Sequence, residues 1–158
     1  MTYRNLLSLA LLVIAQGAYA QESDEHTVSV QLLELADIEI EGGDVAIVLD
    51  QFDPATKWVK PESDASTSVE YRHTSASNKK ITVATDNASP SFLLSVEALE
   101  ASSGTATGQV ALSTSAADFI TNIPAGMGEA TLEYFAEAPI GASAGTDSHV
   151  VTYTILAM

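Results

Sequence analysis

Ser68-Val69-Glu70-Tyr71-Arg72-His73 places Val69 and Tyr71 on one face and Glu70 and Arg72 on the other. Successive side chains of an extended strand point to opposite faces, so this alternation marks a strand with one buried side. Lys80-Ile81-Thr82-Val83-Ala84 repeats it after Ser75-Ala76-Ser77-Asn78, and the two segments are expected to form a hairpin. Further out, Ala130, Leu132, Tyr134 and Ala136 alternate with Thr131, Glu133, Phe135 and Glu137 within Glu129 to Ala138. Val151, Tyr153 and Ile155 share a face opposite Thr152 and Thr154 within His149 to Leu156. Thr27 to Leu33, Ile38 to Glu41, Val45 to Leu49, Gln109 to Leu112 and Phe119 to Ile123 are the other expected strands.

Turn-forming stretches separate them, such as Glu41-Gly42-Gly43-Asp44, Asn87-Ala88-Ser89-Pro90 and Pro124-Ala125-Gly126-Met127-Gly128. Short strands at this spacing predict an all-β fold, an immunoglobulin-like antiparallel β-sandwich of about eight to ten strands. Phe92 to Glu100 fits a strand through Phe92, Leu94, Val96 and Ala98, and a helical face through Phe92, Val96 and Leu99. Its alternating neighbours and the bounding Pro90 favour the strand. Ser115 to Ile120 has room for one helical turn where the chain crosses between sheets.

The first twenty residues have the order of an export signal. Arg4 supplies the positive start, Leu6 to Ala15 the apolar centre, and Ala18-Tyr19-Ala20 a small-x-small cleavage site. Residues 1–20 are therefore expected to be a cleaved signal peptide and residues 21–158 a single sandwich domain, with no integral membrane span after cleavage. The expected location is outside the cytoplasm: periplasm, cell surface or medium. All 21 acidic residues follow Ala20, against Lys57, Lys60, Arg72, Lys79 and Lys80, which gives the mature chain a net charge of −16. A surface of that sign repels nucleic acid and anionic lipid, both of which require basic patches. The chain has no cysteine, so its stability rests on packing, and thiol nucleophiles, cysteine-ligated zinc and Fe–S clusters are excluded.

Chemistry-bearing patterns are sparse. His26, His73 and His149 stand far apart, and none belongs to a His-x-His or His-x-x-x-His pair. Asp44, Asp50 and Asp53 come nearest to a cation site, with Asp50-Gln51-Phe52-Asp53-Pro54 as the loop. The order of a calcium loop, D-x-[DN]-x-[DN]-G, is lacking, and Asp-Pro reads as a turn opener. Gly141-Ala142-Ser143-Ala144-Gly145 has the letters of G-x-S-x-G and Ser77-Asn78-Lys79-Lys80 those of S-x-x-K, but both lie in turn-rich stretches without the strand-to-helix setting a nucleophile elbow requires. H-E-x-x-H does not occur, so no enzyme and no cofactor is expected. The glycines of Gly104 to Gly108 and Gly126 to Gly128 lack a Walker lysine and read as turns. Trp58, between Lys57 and Lys60, is expected to be a buried ring, with an exposed ligand platform as the alternative. Asn87-Ala88-Ser89 matches a glycosylation acceptor but is followed by Pro90.

The cadence of Ser68-Val69-Glu70-Tyr71, Asn78-Lys79-Lys80-Ile81-Thr82-Val83 and Pro90-Ser91-Phe92-Leu93-Leu94-Ser95-Val96, with Val150 to Ile155, resembles small exported bacterial proteins with an immunoglobulin-like β-sandwich, including fimbrial-type subunits. Chaperone–usher pilins usually carry a disulfide, and this chain has none. The resemblance implies a fold and a non-catalytic structural, adhesive or filament-subunit role; it transfers no functional residue. On that reading the partner is another copy or a second cell-surface protein, joined by β-strand addition at alternating terminal segments. The alternative is an extracytoplasmic module that binds Ca²⁺ or a small ligand such as a glycan.

Overall fold

The computed structural model describes residues 27–158. Nine strands, β1 (Ala36–Glu41), β2 (Glu62–His73), β3 (Lys79–Thr85), β4 (Leu93–Leu99), β5 (Thr105–Ala106), β6 (Val110–Ala111), β7 (Ala117–Ile123), β8 (Gly126–Glu137) and β9 (Val151–Ala157), form two antiparallel sheets. Their orders are β1-β2-β8-β4-β6 and β5-β7-β3-β9. The expected all-β sandwich is what the chain forms, and the described residues contain no helix. From β3 onward every strand lies in the sheet opposite its predecessor.

That winding overturns the expected hairpin. β2 pairs with β1 and β8, whereas β3 pairs with β7 and β9. Ser75 to Asn78 contains no glycine for a tight hairpin turn. The hydrogen bonds of this arch run elsewhere: Thr74 N–H donates to Leu35 O at 2.9 Å and Ser75 N–H to His73 Nδ1 at 3.2 Å. Val69 and Tyr71 consequently belong to one sheet, and Ile81 and Val83 to the other. The same alternation that suggests neighbours in a ladder serves equally for two layers.

The core joins Val69, Tyr71, Val96, Ala98, Ala130, Leu132 and Tyr134 to Ile81, Val83, Phe119, Ile120 and Ile123. Each large apolar side chain buried there contributes about 1.5–3 kcal/mol. Across the layers, Tyr134 and Tyr153 join hydroxyl to hydroxyl at 2.9 Å, and within the four-stranded sheet the Phe119 and Tyr153 rings sit 5.4 Å apart at 56°. Gly128 packs under the Tyr71 ring, where a Cβ would collide with it. Gly42 turns the chain out of β1 at φ +104°, and a Cβ there would lie 2.5 Å from Ser66 O.

Three strand expectations change. Thr27 to Leu33 has no ladder, and Val28, Val30 and Leu32 are exposed. Val45 to Leu49 also has no ladder, although Val45 and Ile47 still turn inward and pack on the core. Gln109 to Leu112 contracts to Val110–Ala111, with Leu112 N–H donating to Leu94 O at 2.9 Å. The ambiguous Phe92 to Glu100 is strand β4, and β7 begins at Ala117 in place of a helical turn.

Candidate functional site

The three aspartates of the candidate cation loop do not converge. Among the described residues no group of three or more His, Asp or Glu is placed to hold a metal ion, Asp44, Asp50 and Asp53 included. Gln51 to Lys60 forms a small hairpin, with Phe52 bridged to Val59, Asp53 N–H donating to Trp58 O and Lys60 N–H to Gln51 O. Asp53 Oδ1 accepts Ala55 N–H at 2.8 Å, the turn-opening arrangement that Asp-Pro suggests. Local positive charge comes from Lys60, whose ammonium pairs with Glu62 at 2.8 Å. That bond, with Asp50 and Asp53 adding to it, raises the Lys60 pKa.

Trp58 is neither a core ring nor an exposed platform. It is half-buried, and its indole N–H donates to Ala138 O at 3.0 Å, fastening the small hairpin to the chain just beyond β8. Burial in the core loses here because the indole N–H needs an acceptor.

The histidines go to separate places. His26 lies outside the described residues. His73 is buried, with Nε2–H donating to Ile123 O at 3.0 Å and Nδ1 accepting Ser75 N–H, which assigns the neutral Nε2–H tautomer. It is a satisfied core residue linking β2 to the end of β7.

His149 belongs to a polar cluster that the sequence reading missed. Thr85 Oγ1 lies 3.1 Å from His149 Nδ1, and Asp147 Oδ2 lies 4.0 Å from Nε2. Hydroxyl, imidazole and carboxylate thus stand in the order of a nucleophilic triad. Three features argue against that chemistry. Thr85 is buried, with 5% exposed, and its Oγ1 also accepts Asn87 N–H at 3.4 Å. The carboxylate is beyond hydrogen-bonding distance of the imidazole. Asp147 Oδ2 instead accepts the backbone N–H groups of Ser91 at 2.6 Å and Phe92 at 2.9 Å.

Those bonds, Phe92 foremost, hold the Asp147 carboxyl below the usual carboxylate range, with Ser91 and His149 adding to them. Beside it, Asp86 Oδ1 accepts Val150 N–H at 2.8 Å and Asn87 Nδ2 donates to Ser148 O at 3.3 Å. The cluster is a fastening that ties the approach to β9 onto the end of β3 and the start of β4. The Asp147-x-His149 spacing is the one sequence signal that pointed to it. Asn87 is occupied there through both ends of its amide, since Oδ1 accepts Ser89 N–H.

A shallow groove of about 530 Å³ runs beside β1, lined by Leu35, Arg72, Thr74 and Met127, among others. Arg72 is paired with Asp37 across it.

The sheet edges remain. β5 and β6 are two residues long. β1 carries Asp37, Glu39 and Glu41 in six residues. β9 is seven residues long, uncharged, and paired along its whole length with β3 without a register shift. Among the described residues no strand pairs with its other side. No helix among them is long and apolar enough to cross a membrane. No protein family model, curated protein or solved structure matches the chain.

Proposed function

We propose that the protein is an exported, non-catalytic structural subunit, of adhesive or filament-forming type, that adds a strand to the sheet of a neighbouring molecule. The observation carrying this reading is Thr27 to Leu33. The segment has the alternation of a half-buried strand and contains no charge in a chain of net charge −15. Yet Val28, Val30 and Leu32 are 72%, 92% and 75% exposed. A strand-patterned segment without a ladder is suited to a sheet edge on another molecule, where backbone hydrogen bonds supply affinity and alternate side chains fill pockets. The polar clusters serve as fastenings, which agrees with a role in which the fold itself is the working part.

Light scattering and negative-stain microscopy of the purified protein test the proposal. Assemblies larger than a dimer are expected, and Val30→Asp should abolish them by placing a carboxylate where an apolar side chain must be buried. Wild-type protein that never exceeds a dimer at high concentration would overturn it.

A further inference from the structure

Natural sheets protect their edges with short strands, charges, prolines or bulges. Three of the four edges here have such a device: β5 and β6 are two residues each, and β1 carries three carboxylates. β9 has none. Val151-Thr152-Tyr153-Thr154-Ile155-Leu156-Ala157 contains no charge, proline or glycine, and Val150 and Met158 extend the uncharged run. Thr152, Thr154 and Leu156 are exposed. β-branched and aromatic residues with no net charge are the composition that favours strand pairing.

We infer that β9 is a self-recognition edge, pairing antiparallel with β9 of a second copy about a two-fold axis at Thr154. The two four-stranded sheets then become one continuous sheet. This goes beyond the proposed function and does not depend on it.

A second copy is the occupant for two reasons. The first is register. With Thr154 opposite Thr154, Tyr153 meets Ile155, Thr152 meets Leu156 and Val151 meets Ala157. The set includes a Thr–Thr pair and an aromatic–β-branched pair, both favourable cross-strand neighbours, and no two like charges. One surface satisfies both edges, as an isologous interface requires. The second is preorganisation. Seven consecutive pairings with β3 already hold β9 extended, whereas Thr27 to Leu33 has no ladder to hold it extended. Electrostatics tunes the association. β1, with its carboxylates, runs beside β9 on the facing sheet, so two such strands approach as the edges join, and added salt should tighten the dimer by screening them.

Sedimentation velocity over a concentration series tests this. At concentrations below those that form larger assemblies, wild-type protein should show a monomer–dimer equilibrium that strengthens with salt. Thr154→Asp and Thr154→Lys, each facing its own copy across the axis, should each weaken the dimer by about tenfold or more. An equimolar mixture of the two should restore it as a heterodimer. Melting temperatures near wild type would show that the variants fold. Should the aspartate variant fold poorly, the lysine variant decides alone, since lysine is a residue that edge strands accommodate.

A wild type that stays monomeric throughout would overturn the inference, as would a dimer indifferent to Thr154→Lys. Loss without restoration in the mixture would overturn the two-fold register and assign the edge to another occupant. Dimerisation abolished by Val30→Asp would identify that occupant as Thr27 to Leu33. A dimer that survives Val30→Asp while larger assemblies vanish leaves both readings standing, and each fails separately.

Discussion

Thr27 to Leu33 and Val151 to Ala157 carry the same alternation of apolar and polar residues, without a charge in either, and meet opposite fates. The second is a strand held by β3 at seven consecutive positions, with Val151, Tyr153 and Ile155 packed against the core. The first has no ladder, and Val30 is almost fully exposed. Alternation therefore specifies which face a strand would bury; a partner decides whether it becomes one. β9 has β3 beside it and a polar fastening at its entrance. Thr27 to Leu33 has no strand beside it among the described residues and is tied at its end alone, where Leu33 O accepts the Thr74 hydroxyl at 3.0 Å.

The comparison is broken most forcefully at Ile155. Ile155→Asp would put a carboxylate against the core, a change that costs about 3–5 kcal/mol where a buried charge is left unpaired. That is a large part of the stability of a domain this size, so loss of cooperative thermal unfolding is expected in circular dichroism. Survival of a sharp transition near the wild-type melting temperature would show that β9 is not integral to the sandwich.

Tyr153 sharpens the same point by way of pH. Burial, then the nearby Tyr134 hydroxyl, pushes its ionisation far above the usual tyrosine value, and burial raises Tyr134 as well. An unfolded tyrosine ionises near pH 10, so the unfolded chain releases protons there that the folded chain keeps. The stabilisation is complete below about pH 10 and is lost as pH climbs above it. Urea melts at rising pH should show a fall beginning there. Tyr153→Phe should make that fall shallower and cost about 1 kcal/mol at neutral pH through the lost hydroxyl pair. An unchanged alkaline profile would mean that Tyr153 is not enclosed.

How much of this was legible depended on where the deciding interaction lay. β2, β4, β7, β8 and β9 could be read because each side chain's neighbour two residues away reports its own face. The winding could not: Val69 and Ile81 carry identical signals whether their strands sit side by side or in facing layers. Val45 and Ile47 kept the inward pattern without a ladder, since burial and backbone pairing are separable. Asp53 was legible because its bond to Ala55 is local. Thr85, His149 and Asp147 were not, because their contacts span 55 to 64 residues.

A smaller effect is expected at the fastening before β9. Because its bonds to Phe92 and Ser91 keep the Asp147 carboxyl ionised below the ordinary range, the contribution is present above about pH 4 and is lost as pH falls through the folded value. Asp147→Asn retains the shape and removes the charge, so the acid side of the stability profile should flatten while the alkaline side stays as it was. An acid profile identical to wild type would show that the carboxylate does not hold β9's entrance in place.

Val30→Asp should do least to the isolated fold, and for that reason it tests the comparison most directly. The side chain is 92% exposed, and substitutions at such positions usually change stability by less than about 0.5 kcal/mol. A charge there has water around it and displaces no packed neighbour. Its melting temperature should therefore match wild type in dilute solution, where Ile155→Asp has no cooperative transition to measure. Any difference should appear only as concentration rises, since a partner that buries the segment stabilises by mass action in wild type and not in the variant. A clear loss in dilute protein would mean that Thr27 to Leu33 is already paired within its own molecule, and the contrast with β9 would disappear.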